Sequence, residues 1–518
     1  RMLRTVVLLL SLVLTTNAYK ILVYNPQFGH SHSAFLGRIA DVLSEAGHNV
    51  TSLISVIDPN GADGTSKSNK IYVQQTAASA ELQEQFKKMA ANLFDSDSFD
   101  LLGSYFMGAF FGKIFATQCK AVIEDTRLIE KLKAEKYDVM FMENFDMCGV
   151  ALTELIQPKS FIPTSSSIAF GPHEEEWGIA TALSYNPEHH LSRMNVHSMW
   201  DRLVNLYARF LVRLTFDQFR GVCCESLRQS DEHFVIKEIS SKSAYVFVNS
   251  EPLIDFAAPT ISKVIPIGGF GVKEPKKLDQ EWEKILTKRE KTVLVLFGSV
   301  MKSSGLPMAV KESIVQTAKS LPQVIFIWKY EQDDEFTKNI ASKVENLHLS
   351  KWMPQVELLA HPRMSAFVTH GGMGSTQETA SRGVPGIFVP LFGDQPRNAG
   401  MMEHNKLGKV IDKFDIFDPI KLSAVVREVI EDPIYLKNAK RVSAMLHKKP
   451  FTVIEQIVKY TEFAAEFGPS KALRPQSHDM NWIEHNNLVS THQNISLCFL
   501  IKFFPSTLLQ KCLFYSLI

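Results

Sequence analysis

Phe367-Val368-Thr369-His370-Gly371-Gly372-Met373-Gly374-Ser375-Thr376-Gln377-Glu378 decides the fold. An apolar strand ends at Thr369, a glycine-rich turn follows, and a helix opens near Ser375. A strand turning tightly into a helix is the repeating unit of a doubly wound α/β domain. Backbone N–H groups in such a turn can approach an anion, and the helix start favours negative charge. His370 and the Ser375 hydroxyl add donors for a diphosphate, with Gly371 and Gly372 admitting it to the backbone. Glu378, one turn into the helix, is placed to accept both hydroxyls of a ribose, as acidic residues do in dinucleotide folds. Taken alone, the glycines also suit a tight turn that binds nothing.

Around this stretch the chain alternates apolar strands with helical segments. Thr292 to Phe297, Gln323 to Trp328, Leu347 to Leu349, Ala366 to Thr369 and Gly386 to Val389 read as strands. An earlier set does the same: Lys20 to Tyr24, Val50 to Ile57, Asp138 to Met142 and Ala244 to Val248, with a helix over Ala34 to Ala46. The rhythm predicts two Rossmann-like, doubly wound α/β domains facing across a cleft. The predicted organisation is a signal peptide (1–18), an N-terminal α/β domain (19–250), a Pro/Gly-rich linker (251–290), a C-terminal α/β domain (291–440), C-terminal helices (441–485) and an apolar tail (486–518).

The chain has 518 residues, too many for one core. Lys+Arg is 56 and Asp+Glu 55, a balance that argues against a nucleic-acid binder. Arg1 and Arg4, the apolar run Val6 to Leu14 and the small residues before Tyr19 form a secretory signal. Six thinly spread cysteines exclude a disulfide scaffold and show no zinc-site spacing, leaving room for one or two bridges. In the tail, Lys502, Pro505 and Lys511 interrupt a Leu/Phe/Ile-rich run, which leaves no clean span of about 20 apolar residues and reads as a poor anchor, an interfacial segment or a divergent end.

Two further features fit a nucleotide-sugar. Trp352-Met353-Pro354-Gln355 sets an indole on a turn, where it could stack on a flat base, with Gln355 beside it for hydroxyls. Sixteen residues beyond Glu378, Asp394-Gln395 puts a carboxylate and an amide on one loop, a pairing suited to a polyhydroxyl ligand. From Trp352 to Gln395 the sequence closely resembles the signature of the UDP-glycosyltransferases, whose animal members include the glucuronosyltransferases. The likeness runs from residue 19 to about 485 and includes His478-Asp479-Met480-Asn481-Trp482-Ile483-Glu484.

That resemblance implies the glycosyltransferase-B architecture, with donor on the C-terminal half and acceptor on the N-terminal half. It gives Trp352 uracil stacking, Gln355 and Glu378 ribose contacts, and His370, Ser375 and Ser299 the diphosphate. Asp394 and Gln395 would bind the transferred sugar. Within Gly29-His30-Ser31-His32 it selects His32 as the base, with Glu143 as its carboxylate partner, accepting a hydrogen bond from the ring. Three positions depart from the family: Gly374 where Asn is frequent, Gly386 where a bulkier apolar residue is usual, and Glu143 where Asp is common. The implied reaction is inverting transfer of glucuronosyl or glucosyl from a UDP-sugar, as co-substrate, to a small lipophilic acceptor. No bound metal and no permanent cofactor are expected. The family setting is the endoplasmic-reticulum lumen, membrane-associated, in detoxification.

Competing readings have residues of their own. Asp95-Ser96-Asp97 could hold a divalent ion but sits between helical stretches and reads better as a capping turn. His370-Gly371-Gly372 echoes a lipase oxyanion motif, yet no Gly-x-Ser-x-Gly elbow follows. A non-catalytic sugar- or lipid-binding member of the fold is the alternative to an enzyme, and the presence of His32 with Glu143 argues against it.

Overall fold

A computed structural model of the chain describes residues 18–90, 94, 99–168, 171–228, 236–298 and 301–480. Strands β1 (Lys20–Gln27), β2 (Asn49–Val56), β3 (Asn69–Val73), β4 (Val139–Glu143), β5 (Ser160–Ser165), β6 (Val246–Val248) and β7 (Val264–Pro266) form one parallel sheet, ordered β3-β2-β1-β4-β5-β6-β7. Strands β8 (Lys291–Leu296), β9 (Val324–Lys329), β10 (Leu347–Ser350), β11 (Met364–Thr369), β12 (Gly386–Phe388) and β13 (Gly408–Val410) form a second, ordered β10-β9-β8-β11-β12-β13.

The central strands are apolar without a break because both faces of each sheet are covered. Leu22, Tyr24, Met140 and Met142 enter one core of the first sheet, while Ile21, Val23, Val139 and Phe141 enter the other. In β8, Val293 and Val295 face one core and Leu294 and Leu296 the opposite one. This period-2 alternation fills two helix–sheet layers per lobe.

In both sheets the strand order reverses at one point: between β1 and β4, and between β8 and β11. Helices leave neighbouring strands there toward opposite faces, which opens a crevice at the strands' carboxyl ends. His32 and Glu143 lie at the first crevice, Gly298 and His370 at the second.

Some boundaries differ from the sequence reading. The helix after β1 spans His30–Glu45, so His30 and His32 belong to its first turn rather than to a loop. Segment 251–290, expected as a linker, gives β7 to the first sheet, and its helix Gln280–Leu286 packs Trp282 and Leu286 under the second. The final helices divide between lobes. Pro433–His447 stays on the second, whereas Val453–Phe467 returns to the first, burying Ile457, Ala464 and Ala465 against its core. Residues 1–17 of the expected signal peptide, and residues 481–518 with the whole of the expected tail, lie outside the described residues. Among the described residues no helix is long and apolar enough to cross a membrane.

Candidate active site

β1 ends at Gln27, and two residues later the helix His30–Glu45 begins with Gly29 as its N-cap. That short connection fixes His32 in the first turn, beside the end of β4. Glu143, the last residue of β4, is 1 % exposed. The predicted direct hydrogen bond between them is absent. His32 Nδ1 stands 3.6 Å from Glu143 Oε2, outside hydrogen-bond range. It instead meets Ser166 Oγ at 2.5 Å, and the Ser166 N–H donates to Glu143 Oε1 at 3.1 Å. Glu143 Oε2 is buried with no hydrogen-bond partner. Nothing in the sequence singled out Ser166; its only signal is its place just past β5, the strand neighbouring β4.

Capping of the next helix falls to Asp146, whose carboxylate accepts from the Cys148 N–H at 3.0 Å and from the Tyr24 hydroxyl at 3.0 Å. Burial pushes its pKa up to about 7. Cys148, in that helix's first turn, forms a disulfide with Cys119, which ties the Glu143 loop to the helix Leu101–Ile123.

A wall of rings leads away from His32. Phe145 meets the imidazole edge-on at 5.1 Å, Phe115 touches Phe145, and Phe28 contacts Phe115, Phe111 and Phe86. The helix Leu101–Ile123 supplies Phe111 and Phe115 to this wall, while its Leu102 and Phe106 point outward.

On the second lobe, the His370 ring is held by two glycines. A Cβ on Gly298 would lie 2.6 Å from Cε1, and one on Gly372 2.6 Å from Nε2. Gly298 also has φ +89°, so the turn after β8 needs glycine twice over. Burial lowers the His370 pKa to about 4, against a smaller upward pull from Asp394. At neutral pH the ring is uncharged and can offer one N–H. Gly371 has φ +82°, and Gly372 is the N-cap of the helix Met373–Arg382, which sets Ser375 in the first turn.

Gln355 and Glu378, read separately as ribose contacts, meet: Gln355 Nε2 donates to Glu378 Oε2 at 2.5 Å. Burial raises the Glu378 pKa, partly offset by that bond. Trp352 stands 71 % exposed on the turn before Gln355, an indole free to stack. Ser299 lies outside the described residues, as do Asp95 and Asp97. Gly374 is exposed with open space at its Cβ, while Gly386 is covered by the Phe388 ring, so only the first could accept a side chain.

Asp394 and Gln395 behave differently from each other. Asp394 Oδ2 accepts from Asn398 at 2.9 Å and from the Ser167 hydroxyl of the first lobe at 2.7 Å. Gln395 turns inward: its Oε1 accepts the Leu391 and Phe392 N–H groups at 2.9 and 3.3 Å. Its expected sugar contact therefore loses the amide oxygen to the loop's own backbone.

Residues the sequence did not flag dock the lobes. Gln377 donates to Asn249 O and Oδ1 and accepts the Gly269 N–H. Arg397, 4 % exposed, pairs with Asp255 at 2.7 Å and donates to Pro187 O and Asn186 Oδ1. Arg193 grips Glu403 with two nitrogens. Between the docked lobes, the pair Ser166-Ser167 stands between His32 of the first and Asp394 of the second.

Two parallel, doubly wound lobes, each with its own switch point, form the GT-B fold. Solved structures share the fold: Os79 from O. sativa in complex with U2F and trichothecene (TM-score 0.59, 16 % identity, 86 % of this chain and 99 % of that one) and a UDP-glucosyltransferase from Polygonum tinctorium (TM-score 0.57, 15 % identity, 88 % and 100 %). The chain belongs to the UDP-glucoronosyl and UDP-glucosyl transferase family, which it matches over residues 19–516. It is 28 % identical to the putative UDP-glucuronosyltransferase ugt-48 of Caenorhabditis elegans (94 % of each chain) and 28 % to human UDP-glucuronosyltransferase 3A2 (93 % and 91 %). It is a glycosyltransferase with a UDP-sugar as co-substrate.

Proposed function

We propose that the protein transfers a glucuronosyl or glucosyl group from its UDP-sugar, with inversion, to a hydroxyl of a small lipophilic acceptor. The observation that carries this is the pairing of His32 with a buried Glu143 at the first lobe's crevice, linked through Ser166-Ser167 to Asp394 of the second. The acceptor oxygen attacks the anomeric carbon as His32 Nε2 takes its proton. The C–O bond to the diphosphate breaks, and its electron pair leaves with UDP. Charge on the departing phosphate is met by the His370 N–H, the Ser375 hydroxyl, Ser299 and the helix start. Attack from the face opposite UDP converts an α-linked donor into a β-glycoside. The ring wall from Phe145 to Phe86 supports a lipophilic, flat acceptor.

The names of the curated relatives favour glucuronate as donor. The setting is the endoplasmic-reticulum lumen. The Cys119–Cys148 disulfide supports an oxidising compartment, and the apolar tail supports membrane association, both consistent with conjugation as detoxification. Purified protein incubated with a simple phenol and a panel of UDP-sugars, read by mass spectrometry, tests the reading. A β-glucuronide or β-glucoside with stoichiometric UDP is expected; no product from any donor would overturn it.

A further inference from the structure

We infer that Ser166 and Ser167 form a positioning element for the base: Ser166 orients the His32 imidazole, and Ser167 ties the same loop to Asp394 of the second lobe. The inference rests on the proposed role of His32.

A general base must present a lone pair on the nitrogen facing the acceptor, so the proton of the neutral ring belongs on the other nitrogen. For His32 that other nitrogen is Nδ1, whose nearest partner is the Ser166 oxygen at 2.5 Å. A hydroxyl can accept from Nδ1–H or donate to its lone pair, and the two choices give opposite tautomers. The neighbouring charge decides between them. Glu143 Oε2, buried and without a hydrogen-bond partner, stands 3.6 Å from Nδ1. It attracts an N–H there and repels a lone pair, so Ser166 accepts and Nε2 stays free. Glu143 also holds the serine itself, through the Ser166 N–H on Oε1. One carboxylate thus fixes both the position of Ser166 and the direction of its bond to the ring.

The next residue reaches the other lobe. Ser167 Oγ donates to Asp394 Oδ2 at 2.7 Å, and Asn249 Nδ2 donates to the Ser166 carbonyl at 2.8 Å. Asn249 is in turn gripped by Gln377, a residue of the helix that opens the diphosphate turn. The short loop after β5 therefore touches the second lobe directly at Ser167 and indirectly at Ser166, through Asn249 of its own lobe. In a chain whose lobes part, the loop loses the Ser167–Asp394 bond and the Gln377 grip on Asn249, while Glu143 still holds the Ser166 N–H.

The test compares Ser166→Ala, Ser166→Thr, Ser167→Ala and Glu143→Gln with the parent, each checked for an unchanged melting temperature. Ser166→Ala is expected to lower kcat about tenfold while KM for the UDP-sugar changes less than twofold. Ser166→Thr, which keeps the hydroxyl, restores most of the rate, and Ser167→Ala loses about threefold. In the Glu143→Gln background Ser166→Ala costs less than it does alone, because one device has already been broken. A Ser166→Ala enzyme within twofold of the parent kcat overturns the inference, as does full additivity with Glu143→Gln. Inactivity of the parent enzyme on every donor is the separate failure of the functional reading.

Discussion

The two crevices are built alike and hold histidines in opposite conditions. His32 follows β1 in the first sheet, and His370 follows β11 in the second; each sits where its sheet's strand order reverses. His32 keeps 29 % of its side-chain surface and lies near a carboxylate and a hydroxyl. His370 is clamped between two glycines, and burial drives its pKa down to about 4. The topology supplies the place, and the neighbours supply the chemistry. A ring beside a buried carboxylate can take up and stabilise a proton; a ring walled by backbone stays neutral and serves as a fixed donor.

Exchanging the two losses gives the sharpest test of this difference. His32→Ala should lower kcat by about 10²–10⁴-fold and leave UDP affinity nearly intact. His370→Ala should weaken UDP binding, measured by calorimetry, as should Glu378→Ala. If both histidine variants lost UDP affinity equally, the two crevices would not divide the work.

The comparison also requires docked lobes. Arg397→Ala leaves Asp255 without its guanidinium in a largely enclosed site, a loss of about 3–5 kcal/mol. Chemical denaturation should show that loss, with weakened turnover at temperatures where the lobes still fold.

Acidification tests the burial of His370. The folded His370 pKa lies below that of the unfolded chain, so the unfolded state takes up the proton first. Its contribution to stability is whole above about pH 6.5 and is lost as pH falls toward 4, at most about 3 kcal/mol. His370→Gln should flatten that part of the stability–pH curve, and an unchanged slope would contradict the burial argument. The smallest effect is expected at Gly374, where the Cβ position is open. Gly374→Asn should tighten UDP binding a few-fold by adding the side chain common in the family. It should also stabilise the helix by a few tenths of a kcal/mol.

The strand–glycine–helix run at Phe367 to Glu378 and the strand rhythm on either side announced the doubly wound class, because buried parallel strands must be continuously apolar. Spacing within the same run pointed to the diphosphate turn, since a helix N-terminus after glycines is a local device. Glu143 was singled out by the family resemblance, at the end of a strand the sequence already showed. What escaped were contacts made across the fold. Ser166 and Ser167 are ordinary loop serines until β5 is laid beside β4 and the second lobe closes on them. Gln377 and Arg397 look like surface polar residues until docking buries them. The amide of Gln395 looked free until its own loop folded back to use it. Periodicity and turn chemistry act within about a dozen residues and so can be read along the chain. Hydrogen-bond partners more than a hundred residues apart, such as His32 with Ser166 or Ser167 with Asp394, exist only once packing has fixed both lobes.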